Sequence, residues 1–142
     1  MTSIVLCDKP KTVHTERMSL LGSSKIVAFV TTSNPVRARA FYGDTLGLRL
    51  VEESGFALVF DANGVTLRVA IAGKVTIAPY TVLGWQVADA TAKAKELIKA
   101  GVKLERFEGM GQDELGIWAS PSGARVAWFK DPDGNLLSIA QH

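Results

Sequence analysis

The chain predicts an α+β fold made of two similar halves, each running strand, helix, three strands. Three observations carry that prediction. Strand-like and helix-like patterns follow in this order twice between Lys25 and Gln141. The halves also align on each other: Val27 matches Val82, 55 residues on, and Gly47 matches Gly101, 54 on. Finally, Asp61-Ala62-Asn63-Gly64 matches Asp131-Pro132-Asp133-Gly134, 70 residues on, and an alternating strand follows each tetrad. The growth in offset, about 15 residues, calls for an insertion in the second half. Gly109–Ser122, rich in Gly, Asp and Ser, is the segment that suits it. An internal repeat constrains a fold more than a single motif does.

The elements follow from local chemistry. Residues 1–24 hold no sustained period and read as an N-terminal arm, with one short strand at Ile4–Cys7; Met18 offers a second start. Lys25–Thr31 (KIVAFVT) is β-branched and aromatic, as strands are. Asn34 and Pro35 then supply a helix N-cap and a first-turn proline. The helix runs to about Thr45 with Val36, Ala40 and Phe41 on its apolar face, and Gly47 stops it. Leu48–Glu53, Ala57–Asp61 and Val65–Ile71 are three strands, separated by Ser54-Gly55 and by Asp61–Gly64. Module one thus covers 25–73 and module two 80–142, joined by Gly73–Pro79. In module two, strand Thr81–Val87 precedes a helix capped by Asp89 and ended by Gly101. That helix places Ala90, Ala94, Leu97 and Ile98 in one stripe. Val102–Phe107, Ala124–Phe129 and Leu136–Gln141 complete the strands.

Composition excludes several function classes. Sixteen basic and 14 acidic residues leave a net charge of +2, and no basic run exceeds two residues, so nothing gathers charge for nucleic acid. No apolar run approaches the roughly 20 residues that cross a bilayer, and the Ile4–Cys7 run is too short for a signal-peptide core. A single cysteine, Cys7, forms no internal disulfide, which suits a reducing, cytoplasmic compartment. The two histidines, His14 and His142, sit near the ends, so one chain cannot build a three-histidine zinc site. Gly109-Met110-Gly111 lacks the Lys-Ser/Thr of a phosphate loop.

Two segments resemble family signatures: Ala40-Phe41-Tyr42-Gly43-Asp44-Thr45-Leu46-Gly47-Leu48 and Phe129-Lys130-Asp131-Pro132-Asp133-Gly134-Asn135. They are similar to the end of the first helix and to the final turn in the vicinal oxygen chelate superfamily, also called the glyoxalase/bleomycin resistance/dioxygenase superfamily. The resemblance runs from Lys25 to the C-terminus. It implies two βαβββ modules forming a curled mixed sheet around a cleft, with function resting on a divalent metal there. The family's ligands come from the first and last strands of each module. Those positions map to Val27, Arg68, Val82 and Ser138. Valine offers no lone pair, arginine repels a cation, and a lone serine is a poor ligand. The expectation is therefore a cleft with no metal and no cofactor.

Strand alternation assigns the remaining cleft side chains. Phe29 and Thr31 share a face with Val27, Gln86 and Gly84 with Val82, and the opposite parity, including Ile26, Leu67, Trp85 and Ile139, is uniformly apolar and packs under the helices. Phe29, Arg68, Gln86, Trp118, Trp128 and Ser138 are the candidate ligand-binding residues, with Trp118 in the inserted loop. An arginine, an amide and aromatic faces suit a small planar molecule with an anionic group. Arg68 is equally placed to pair with a carboxylate on a neighbouring strand. The expected function is small-ligand binding in a metal-free cleft, by a homodimer whose sheet edges invite pairing. The alternative is a lyase or dioxygenase-type enzyme of the same superfamily with an atypical site.

Overall fold

The structure is a computed structural model and describes residues 20–142; the arm strand at Ile4–Cys7, Cys7 itself and His14 lie outside the described residues. The first half opens with β1 (Val27–Thr32), which begins two residues and ends one residue later than the pattern suggested. Ile26 precedes it and is 78% exposed, so it does not join the core as expected. The Asn34 side chain accepts the Arg37 backbone N–H at 3.1 Å and Pro35 begins α1 (Pro35–Arg39). The helix then widens into a π turn, Ala40–Thr45, closed by the Leu46 N–H on the Phe41 carbonyl at 2.9 Å. The buried face is Ala38 and Tyr42, four residues apart, and not the expected Val36 face: Val36 is 77% exposed. Burying Tyr42 requires a partner for its hydroxyl, and that partner comes from the other half of the chain.

β2 (Arg49–Glu53), β3 (Ala57–Ala62) and β4 (Val65–Ile71) complete the first sheet in the order β1-β4-β3-β2. β1 runs parallel to β4; the other pairs are antiparallel. The β3–β4 hairpin turns on Asn63 and Gly64, both at positive φ (53° and 92°), as a two-residue type I′ turn needs. The second sheet repeats the plan with β5 (Leu83–Gln86), β6 (Trp118–Ala119), β7 (Arg125–Lys130) and β8 (Leu136–Gln141), in the order β5-β8-β7-β6. α2 (Ala90–Lys99), capped by Asp89, buries Ala90, Ala94 and Leu97, while Ile98 at the end of the expected stripe is 44% exposed.

One expected strand does not form. Of Val102–Phe107, only Leu104 makes a bridge, to Phe129, with the Glu105 N–H on the Trp128 carbonyl at 2.7 Å. The same edge of β7 is then taken up by β6, where Trp118 faces Val126 and Ala119 faces Arg125. Trp118 is therefore a strand residue. The fourth strand is split, and residues 106–116 leave the sheet between its two pieces. The insertion begins earlier than Gly109–Ser122, while Ser120–Ala124 is the tight β6–β7 turn.

Both sheets bury one shared core, with Leu58, Phe60, Leu67 and Val69 from the first and Ala127, Phe129, Leu137 and Ile139 from the second. Phe41 reaches across to Phe129 at 6.4 Å between ring centres. Polar contacts lock the same junction. The fully buried Tyr42 donates its hydroxyl to Asp131 Oδ2 at 2.7 Å, and Asn135 Nδ2 donates to the Thr31 carbonyl at 2.9 Å. Asp133 accepts from the Thr32 hydroxyl at 2.5 Å and from the Ser33 hydroxyl and N–H at 2.8 and 2.9 Å.

Candidate functional site

The strands alternate as required for one face to enter the core and one to remain open. On β1 and β4, Val30, Leu67 and Val69 are buried, while Phe29 is 60% exposed and Arg68 half-buried on the other face. Phe29 and Arg68 are register partners, and Val59 stands on the other side of Arg68. No carboxylate lies directly opposite the guanidinium. Asp61, two residues along β3 from Val59, is taken by Arg49 at 3.6 Å. Among the described residues Arg68 makes no ion pair.

The second sheet carries the other candidates. Ser138 stands between Gly84 and Trp128, and the next row runs Gln86, Ala140, Val126, Trp118. Gly84 leaves room for that hydroxyl: a Cβ there would lie 2.8 Å from the Ser138 hydroxyl oxygen and turn it aside. Trp128 is the centre of an aromatic group, 6.2 Å from Trp118 and edge-on to Phe107 at 5.4 Å. Its indole N–H is engaged by the Thr81 hydroxyl at 3.1 Å. Phe107 was not singled out in the sequence, because the strand pattern at Val102–Phe107 gave no sign that the chain turns back there. Trp85 points the other way and stacks on Phe129 at 6.3 Å between centres.

The six candidates thus fall into two groups, Phe29 with Arg68 on one sheet and Ser138, Trp128 and Trp118 with Gln86 on the other. A small cavity of about 160 Å³ opens between the sheets, lined by Phe29, Thr31, Thr76, Ala78, Val82 and Asn135. Gln86, at the end of β5, also borders a cavity of about 310 Å³ with Ala28, Leu67 and Leu83. The edges of β1 and β5 therefore flank a seam with open space along it.

Comparison with known proteins places this architecture. A model of the Glyoxalase/Bleomycin resistance protein/Dioxygenase superfamily matches residues 24–139. The chain belongs to that superfamily. Its fold is shared by a glyoxalase/bleomycin resistance protein/dioxygenase from Alicyclobacillus acidocaldarius (TM-score 0.62, 17% identity, 84% of this chain and 92% of that one). A lactoylglutathione lyase from Agrobacterium tumefaciens is similar to the same degree (0.65, 16%, 84% and 93%). So is a superfamily member from Sphaerobacter thermophilus (0.64, 19%, 83% and 96%). At these identities the likeness is one of fold. No curated protein sequence matches the chain.

The superfamily's divalent metal can be tested against the residues present. Val27 on β1, Arg68 on β4, Val82 just before β5 and Ser138 on β8 occupy the expected positions. Together they offer one hydroxyl, one cation and two hydrocarbons, a donor set that does not fit a divalent ion. Among the described residues no three His, Cys, Asp or Glu side chains gather elsewhere. The signature segments have a structural role instead, since Tyr42, Asp131, Asp133 and Asn135 join the halves. Burial, together with the facing Asp131 and Asp133 carboxylates, pushes the Tyr42 phenol far above its ordinary value, so it stays a neutral donor.

Proposed function

We propose that this superfamily member binds a small planar anion on the open face of its sheets without a metal. The observation that carries the reading is the pairing of Arg68, at a mapped ligand position, with Phe29 beside it in register: a cation next to an aromatic face, with Phe29 and Val59, not a carboxylate, as its direct cross-strand neighbours. Arg68 would take the anion through its planar fork and Phe29 would cover the ring. Ser138 and Gln86 supply hydroxyl and amide hydrogen bonds, and the Trp118–Trp128 pair adds aromatic surface. A second copy of the chain completes the site in this reading, because Phe29, Val27 and Val82 remain 60%, 43% and 38% exposed.

Titration with 2-naphthoate, followed by tryptophan fluorescence, tests it. Losing a charge-assisted hydrogen bond removes about 1.5–3 kcal/mol, so Arg68→Ala weakens binding roughly tenfold or more. Arg68→Lys keeps the charge and loses the fork, and falls between. Prior treatment with a chelator leaves the affinity unchanged. Binding that ignores both substitutions refutes the role of Arg68, and turnover of the bound acid would favour an enzyme.

A further inference from the structure

A third cavity lies on the helix side of the sheets, away from the Phe29–Arg68 face. It measures about 250 Å³ and sits where the π turn of the first half meets the second half. Its lining is graded. Leu97, Phe129 and Ile139 are buried at 9%, 1% and 3% exposure and form the floor. Leu46, Leu48 and Trp85 are half-buried and form the walls. Among the described residues that line it, Gln86 and Lys93 alone carry polar side-chain atoms apart from the Trp85 indole. Two rim groups offer water little to hold, and a smaller apolar cavity of about 150 Å³ already suffices to hold benzene. The core here is left open to one side and lined for hydrocarbon.

The charge at the rim narrows the chemistry. Lys93 extends from α2, and its described partner is Glu96, one turn along the same helix at 2.9 Å. Both ends of that pair are substantially exposed, so the contact is weak and a competing anion can replace it. We propose that this cavity binds the hydrocarbon part of a small monocarboxylic acid, with the carboxylate at Lys93 on the rim. The site is separate from the one under Proposed function: it lies on the Trp85 side of β5, and Gln86, at the end of that strand, borders its rim without serving as its anchor.

Octanoate and 1-octanol are the probes, one charged and one neutral, with isothermal titration for affinity and indole N–H shifts for location. Octanoate moves the Trp85 signal and leaves Trp118 and Trp128 in place. Lys93→Gln weakens octanoate about two- to fivefold, the range of a partly exposed ion pair, and leaves octanol unchanged. Glu96→Gln removes the competitor and tightens octanoate only. Leu46→Phe and, separately, Leu48→Phe narrow the cavity and weaken both probes, with thermal melts to confirm that each variant is folded. Arg68→Ala has no effect on octanoate, whatever it does to naphthoate. The proposal is overturned if neither probe saturates, if octanoate responds to Arg68→Ala and shifts Trp118 or Trp128, or if octanoate ignores Lys93→Gln and Glu96→Gln.

Discussion

Replacing Tyr42 by Phe isolates the contact that joins the signature segments. The ring stays, so its packing on Phe41 (5.1 Å, edge-on) and Phe60 (6.0 Å) is retained. Only the hydroxyl is lost. Asp131 keeps Asn135 Nδ2 on Oδ2 at 2.8 Å, and the Asp133 and Asn135 backbone N–H groups on Oδ1 at 3.0 and 2.9 Å. One of four donors to a buried carboxylate disappears, and a hydrogen bond to a charged group contributes about 1.5–3 kcal/mol. For a chain of this size that corresponds to a drop of roughly 5–12 °C in Tm. Differential scanning calorimetry measures it, and naphthoate titration well below the new Tm checks the open face. We expect lowered stability with unchanged affinity. A Tm within about 2 °C of the parent would refute the clasp. Lost affinity in a folded Tyr42→Phe protein would place Tyr42 in the ligand site.

Two shorter predictions concern assembly and acid. Light scattering gives twice the 15.2 kDa chain mass, and a concentration-independent monomer rules out a site completed by a second copy. Partial burial of the Asp133 carboxyl opposes its ionisation. The Thr32 hydroxyl, the Ser33 N–H and hydroxyl, and the Arg37 charge outweigh that and hold it below the usual carboxylate range. Its folded pKa is depressed, so its contribution is full above about pH 4, the unfolded value, and is lost as pH falls through the folded one. Asp133→Asn should therefore destabilise at neutral pH and flatten the acid limb of the melting curve. Parallel acid limbs in the two proteins would contradict this.

Most of the fold was legible because its signals are local or repeated. Asn34-Pro35, Asp89 and the Asn63-Gly64 turn mark boundaries through backbone chemistry alone, and strand parity separated Leu67 and Val69 from Arg68. What escaped depends on partners far along the chain. Tyr42 is buried in preference to Val36 because Asp131, 89 residues away, satisfies its hydroxyl. A two-residue strand such as Trp118–Ala119 has no period to detect. The members of the candidate site were readable by register, residue by residue. How the two groups sit about the seam was not, since no ladder joins β1 to β5.

The split fourth strand makes a last prediction that neither sequence pattern nor fold family supplies. Leu104 faces Phe129 and Trp118 faces Val126, so in one continuous antiparallel register Glu105 and Ile117 would be consecutive along β7. The intervening loop closes on itself. Gln112 Nε2 donates to the Glu105 and Gly116 carbonyls at 3.0 and 2.7 Å, and its Oε1 accepts the Phe107 N–H at 2.7 Å. Asp113 accepts the Leu115 and Ile117 N–H groups at 2.9 Å each. Joining Glu105 directly to Ile117, without residues 106–116, should give an unbroken edge strand. Removing a loop of about ten residues recovers on the order of 2 kcal/mol of closure entropy. Against that stand the loss of the Phe107–Trp128 edge contact, worth about 0.5–1.5 kcal/mol, of the packing of half-buried Leu115 on the core, worth about 1 kcal/mol, and of a weak Arg125–Asp113 pair at 3.9 Å. The terms nearly cancel, so the shortened chain should melt within a few degrees of the parent. Its Trp128 fluorescence should change, because that indole loses its Phe107 neighbour. If the shortened chain fails to fold, the loop is a required part of the sheet edge and the two pieces are not one interrupted strand.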